Sequence, residues 1–286
     1  MGLYETYIAS LGEKPSASSR SIARRFCEWL GSRTPTKGVV EAWMKRREGA
    51  GYSKGSLARE WGIIRRICIT NTLEWPFTRH EGPQVSEGDE RRPILSQDAI
   101  DAMIRFSFHR DVELRARLAV ATTYGVRRAE LQELHPESFD WTGQTIYIAT
   151  AKFGRQRYHC IPEEILPVLQ ASKWRTRSDA YISQEFVQLR AAVGIDAQEV
   201  GWHAIRRAAV RMSAQSHNGI EGLSETERTI FFRWKTASMA NRYVSGTIIG
   251  LAGEGDQHAV GLADEALDMR AFSLNPWLKL WKECHE

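Results

Sequence analysis

The sequence predicts a mainly helical chain with one small antiparallel β-sheet, arranged as a helical-bundle front domain and a larger mixed α/β domain. Three observations carry this expectation. Apolar residues recur at three-to-four spacing along most of the chain, and strand-like runs are confined to residues 139–161. Between residues 79 and 93 (RHEGPQVSEGDERRP) apolar periodicity disappears and Gly, Pro and charge take over, which is the composition of a linker. At 286 residues, the chain exceeds what a single core usually organises. The expected division is a domain over 1–80, a linker over 81–93, and a domain over 94–286 with a tail from about residue 244.

Taken in order, residues 3–11 and 18–31 read as helices. In the second, Ile22, Phe26, Trp29 and Leu30 share a face and Gly31 is a stop signal. Thr36 precedes a third helix bearing Val39, Val40, Trp43 and Met44. Ser53 opens a fourth, with Leu57, Trp61, Ile64 and Ile67 on one face, closed at Trp75-Pro76. Beyond the linker, Ser96 is the expected N-cap of a helix through Ile100, Met103 and Ile104. A further helical stretch covers 113–134 and breaks at Tyr124-Gly125. Phe139–Trp141, Thr145–Ala149 and Tyr158–Ile161 are the three strands, separated by Thr142-Gly143 and by the turn 152–155. Helices resume after Glu163, including one over 203–214 and a segment ending near Tyr243.

Charge is uneven. Residues 1–80 hold 14 Lys/Arg against 7 Asp/Glu, whereas 244–286 hold 3 against 7, within a net charge of +4. That asymmetry suits a polyanion binder with a protein-facing tail, and equally a solvated helical surface. The four cysteines form no CxxC pair, so neither a disulfide framework nor a zinc site is expected, and a reducing compartment is. With no leader-like opening and no apolar run of bilayer length, no membrane association is expected. The expected location is cytoplasmic or nucleoid-associated in a prokaryotic host, or nuclear in a eukaryote.

Several polar residues of the second domain fall in suggestive places. Arg127 and Glu130 lie three apart after the Gly125 break, as do His203 and Arg206 on the first turn of a helix. Lys152 sits in a turn between strands, and Trp234 stands nine residues before Tyr243. Singly, each has a dull explanation: a surface salt bridge, a capping histidine, a solvated turn lysine.

Their order is more specific. Thr123-Tyr124-Gly125-Val126-Arg127-Arg128-Ala129-Glu130-Leu131 resembles the box of tyrosine recombinases that carries the first catalytic arginine and its acidic neighbour. Ala151-Lys152 is similar to that family's β-hairpin lysine, His203-Ala204-Ile205-Arg206 to its His-x-x-Arg box, and Arg233-Trp234-Lys235 with Tyr243 to its final box. The front bundle resembles the family's core-binding domain, so the likeness runs from about residue 3 to Tyr243. Two departures stand out. Trp234 occupies the place where most members carry histidine, and the stretch between Arg206 and Trp234 is a few residues longer than usual.

The resemblance implies a phage or mobile-element integrase that cleaves and rejoins duplex DNA through a 3′-phosphotyrosine and a Holliday junction. It implies Tyr243 as nucleophile, with Arg127 and Arg206 clamping the nonbridging oxygens, where two guanidiniums offer bidentate charge-assisted hydrogen bonds. A phenol with a pKa near ~10 needs cationic surroundings and a proton acceptor. His203 is the base candidate, with other groups left open; Lys152 would protonate the leaving 5′-oxygen, and Glu130 would support an arginine or the histidine. No cofactor and no metal are expected, since no converging carboxylates suggest a two-metal site. Lys54, Arg59, Arg65, Arg66 and Arg155 are the expected DNA contacts. The partners are double-stranded DNA with inverted-repeat target sites and further copies of the chain, a tetramer in the synapse and a monomer when free. Type IB topoisomerase-like strand passage and a non-catalytic architectural role are the alternatives. The tail, with Trp277, Leu278, Leu280 and Trp281, would pack on its own domain or dock on a neighbouring copy, the second being what the resemblance favours.

Overall fold

The computed structural model describes residues 2–12, 16–78, 80–84, 94–149, 156–195, 200–217, 219–235 and 264–285. The chain forms two compact units, Met1–Arg91 and Arg92–Glu286. Both are built as expected: helices predominate, and one three-stranded antiparallel sheet lies in the second unit.

In the first unit, α1 (Leu3–Ala9), α2 (Ala17–Leu30), α3 (Lys37–Gly49) and α4 (Lys54–Thr70) surround a core of Tyr7, Phe26, Leu30, Trp43, Ile64 and Ile67. Ser16 and Ser53 cap α2 and α4 by accepting hydrogen bonds from the Ser19 and Ser56 amides. Glu60, 2% exposed, lies against Arg47 at 2.8 Å and accepts the Trp43 indole N–H at 3.1 Å, so the one buried carboxylate of α4 is matched. The fourth helix stops five residues before the expected Trp75-Pro76. Asn71 returns its side-chain amide to the Ile67 carbonyl (2.9 Å), and Thr72 takes a left-handed φ of 54°. Trp75 and Phe77 then pack beside Trp61, with ring centroids 5.1 and 4.4 Å away, as non-helical core residues. Their apolar character belonged to the core and not to a continuing helix.

In the second unit, α5 (Gln97–Ser107), capped by Ser96 as expected, leads to α6 (Val112–Tyr124), which is buried over most of its circumference. A helix with no solvent face must be surrounded, and α6 contacts both the neighbours that precede it and those far along the chain. Its buried Arg117 pairs with Glu185 at 2.6 Å. After α7 (Arg128–Gln132) come β1 (Phe139–Asp140), β2 (Thr145–Ile148) and β3 (Arg157–Cys160), in the order β1-β2-β3. Ile146 faces His159 across the β2–β3 ladder and Ile148 faces Arg157, so the polar residues of β3 point into the unit, while Tyr147 and Tyr158 pair on the other face. Then follow α8 (Leu166–Gln170), α9 (Asp179–Ala192), α10 (Trp202–Ser213), α11 (Glu225–Phe231), α12 (Asp264–Ser273) and α13 (Trp277–His285).

Of the two placements open to the tail, the structure shows the first. Leu267, Phe272, Trp277, Leu278, Leu280 and Trp281 lie in the core of their own unit. The indole of Trp281 donates to the Thr122 hydroxyl at 3.0 Å, and Asn275 donates to the Thr122 carbonyl at 3.1 Å, fixing the last helices to α6. No helix among the described residues is long and apolar enough to cross a membrane.

Trp281→Ala should therefore destabilise the second unit by about 3–5 kcal/mol, the usual cost of emptying a buried tryptophan site. Urea unfolding followed by far-UV circular dichroism measures this. A loss below ~1 kcal/mol would show that α13 is not part of that core.

Candidate active site

The site begins where α6 ends. Gly125 caps the helix in the left-handed region at φ +54°, and a Cβ there would stand 2.6 Å from the Phe232 ring. Glycine is thus required twice, by conformation and by space. The chain next extends through Val126 and Arg127 before α7. Glu130, in the first turn of α7, reaches back to accept the Arg127 amide at 2.8 Å and pairs with the Arg127 guanidinium at 2.5 Å. The expected Arg127–Glu130 pair is therefore a buried contact and not a surface bridge: the two residues are 7% and 1% exposed.

Two further arginines meet the same carboxylate. Arg206 comes from the second turn of α10, with Nη1 3.9 Å from Glu130 Oε2. It donates to the Gly125 carbonyl through Nη1, and to the Phe232 carbonyl at 2.7 Å through Nη2. Arg233, immediately after α11, lies 3.2 Å from the same carboxylate oxygen. Its φ of +59° is a conformation that few non-glycine residues adopt, and its side chain has no exposed surface. Trp234, also fully buried, lays its ring 5.2 Å from the Arg206 guanidinium carbon.

Burial alone would raise the Glu130 carboxyl, but Arg233, Arg206, Arg127 and the Arg127 amide outweigh it and hold the pKa at about 2. Burial pulls Arg233 below its ordinary value, against the attraction of Glu130. The cluster contains three guanidiniums and one carboxylate, leaving two positive charges at one place.

A second buried network adjoins it. The Arg233 Nη1 donates to His159 Nε2 at 2.9 Å, which leaves the proton of a neutral imidazole on Nδ1, 3.0 Å from Asp268 Oδ1. Arg157 donates to the same Asp268 oxygen at 2.9 Å, and the Cys160 amide donates to the other at 2.8 Å. Burial pushes His159 down to about 4 despite Asp268, so the ring is neutral near pH 7. The Tyr124 hydroxyl, raised well above its usual value by burial, donates to the Cys160 carbonyl at 2.8 Å.

The structure thus brings Arg127, Glu130, Arg206 and Trp234 together. His203 stands exposed on α10, one turn before Arg206, on a helix that starts at Trp202, one residue earlier than expected. Lys152, Arg155 and Tyr243 lie outside the described residues. Lys54, Arg59, Arg65 and Arg66 are exposed on α4 in the first unit. Sequence reasoning missed Arg233, His159 and Asp268. An arginine directly before Trp234 was a visible hint for the first; the others carried none, because their partners are about a hundred residues away in the chain. No group of three or more metal-ligating side chains occurs among the described residues.

No family model and no curated protein sequence matches the chain. Solved structures do. A lambda integrase dimer bound to a COC′ core site superposes with a TM-score of 0.68 at 16% identity, covering 88% of this chain and 78% of that one. A lambda integrase tetramer bound to a Holliday junction gives 0.68 at 14% identity over 88% and 79%. The Tn1549 transposon integrase (aa 82-397) in complex with circular intermediate DNA gives 0.61 at 12% identity over 85% and 94%. The chain has the tyrosine recombinase fold.

Glu130→Gln should cost about 3–5 kcal/mol in urea unfolding at pH 7, because three buried guanidiniums would then face a neutral amide. Acid should weaken the second unit in two windows. The unfolded chain binds the His159 proton between about pH 6.5 and 4, and the Glu130 proton between about 4.5 and 2, so stability falls with pH through each. Unfolding free energy measured from pH 8 to 3 should lose its upper window in His159→Phe and its lower one in Glu130→Gln; unchanged slopes in both variants would contradict this electrostatic account.

Proposed function

We propose that the chain is a site-specific tyrosine recombinase, the integrase of a mobile element, acting on duplex DNA through a covalent phosphotyrosine. The observation that carries this reading is the gathering of Arg127, Arg206 and Arg233 on one buried carboxylate, with an excess of two positive charges, in a unit of this fold. A phosphodiester under attack gathers a second negative charge on its nonbridging oxygens. Preorganised guanidiniums meet that charge where it develops.

In this reading Tyr243 Oη attacks phosphorus as its proton passes to a base, for which His203 is the candidate. The bond from phosphorus to the 5′-oxygen breaks, and that oxygen takes a proton from Lys152. A 3′-phosphotyrosine and a free 5′-hydroxyl result. The phosphodiester's energy is kept in the new bond, so rejoining to a second 5′-hydroxyl needs neither ATP nor a metal ion. Glu130 aligns Arg127, and Trp234 braces Arg206.

The first unit would grip duplex DNA through the exposed Arg59, Arg65 and Arg66 of α4, whose opposite face is core, assisted by Lys54 and, from the second unit, Arg155. The integrases of this fold were solved as a dimer on a core site and as a tetramer on a Holliday junction. By analogy, four copies would assemble on paired inverted-repeat sites.

Incubation with nicked suicide substrates should yield a covalent protein–DNA adduct, formed in EDTA without ATP and abolished in Tyr243→Phe. An adduct that survives that substitution would refute the assignment, and sequence-independent relaxation of plasmid lacking a target would favour topoisomerase-like strand passage. Alanine at Arg59, Arg65 or Arg66 should each lower the salt slope of DNA binding by about 1, as the loss of one phosphate contact does. Unchanged slopes would remove α4 from the interface.

A further inference from the structure

Arg233 is an expensive residue. It is a fully buried cation at a left-handed φ, and both Arg127 and Arg157 repel it. Packing alone gives no reason to keep it. Its hydrogen bonds give one: besides Glu130 it donates to His159 Nε2 at 2.9 Å, to the Phe231 carbonyl at 3.1 Å and to the Tyr124 carbonyl at 3.3 Å. It therefore ties the end of α6, the end of α11 and strand β3 to the carboxylate that holds Arg127.

The histidine carries the connection further. Its Nδ1–H is oriented by Asp268 of α12, whose two oxygens also take Arg157 and the Cys160 amide. Neutral imidazole has one donor and one acceptor nitrogen, so Asp268 on one side dictates an acceptor facing Arg233 on the other. An asparagine at 268 cannot satisfy all three donors. Either its NH2 group faces the Cys160 amide, or it turns toward His159, reverses the tautomer and sets an Nε2–H against Arg233. In sequence, Arg233 precedes Tyr243 by ten residues (243 − 233) and Asp268 follows it by 25 (268 − 243). One imidazole separates the two residues in space.

We propose that Asp268, His159 and Arg233 are positioning residues, a buried hydrogen-bond relay through which helix α12 sets the placement of Glu130 and its arginines. For its effect on cleavage, the proposal rests on the recombinase reading above; the relay itself does not.

The test has two arms, both on the full chain. Nitrogen NMR of ¹⁵N-histidine-labelled protein should find His159 as the neutral Nδ1–H tautomer at pH 6–7 in the unsubstituted chain, and altered in Asp268→Asn. Titration of the Glu130 carboxyl should then move upward in Asp268→Asn and in Arg233→Lys. In the second arm, adduct formation on suicide substrates at saturating DNA should slow about 10–100-fold in each variant, the scale of a small misplacement of a catalytic group. DNA affinity should be unchanged, and the double variant should be no slower than the worse single. The unsubstituted-chain NMR does not depend on any variant folding. An Nε2–H or protonated His159 overturns the relay, and so does cleavage at the unsubstituted rate in both variants. If the unsubstituted chain forms no adduct while the NMR arm behaves as expected, the relay holds and the recombinase reading fails.

Discussion

One buried carboxylate organises the second unit's candidate site. Glu130 is in direct contact with three guanidiniums, brought from the end of α6, from α10 and from the end of α11. Without that charge the three cations would repel one another in a place water does not reach. With it, they are held within one side chain's reach and still carry surplus positive charge. The same arrangement ties three elements of the unit together and leaves a surplus of positive charge at one place.

Much of the local geometry follows from this constraint. The helix α6 must stop at Gly125, since its carbonyl receives Arg206 and its Cα lies against Phe232. The chain must then stay extended at Arg127, so that amide and guanidinium both face Glu130. Arg233 must bend into a left-handed conformation to reach the same oxygen. Backbone strain, a close glycine contact and a buried cation all occur at one place, the concentration of costs that the proposed function would account for.

The architecture and half of the candidate site were legible in the sequence because they rest on local signals. Ser53 and Ser96 announce helix starts, Gly125 announces a stop, and Arg127 with Glu130 and His203 with Arg206 are close in the chain. What stayed hidden depends on distant partners. In strand β3 (Arg-Tyr-His-Cys), Arg157 and His159 point inward to meet Asp268, more than a hundred residues later. The fourth helix was expected to run on to Trp75-Pro76 because apolar periodicity does not distinguish a helix face from a loop that folds back on Trp61. The tail could not be placed from its own pattern, since an amphipathic helix does not specify whose core it joins; the bonds of Trp281 and Asn275 to Thr122 decide it.

In the proposed mechanism the cationic cluster around Glu130 serves a tyrosine that becomes joined to DNA. Mass spectrometry of the nuclease- and trypsin-digested covalent complex tests it most directly. A nucleotide should be found attached through its 3′-phosphate to Tyr243, with a free 5′-hydroxyl on the released strand. Attachment to any other residue, or through a 5′-phosphate, would contradict it.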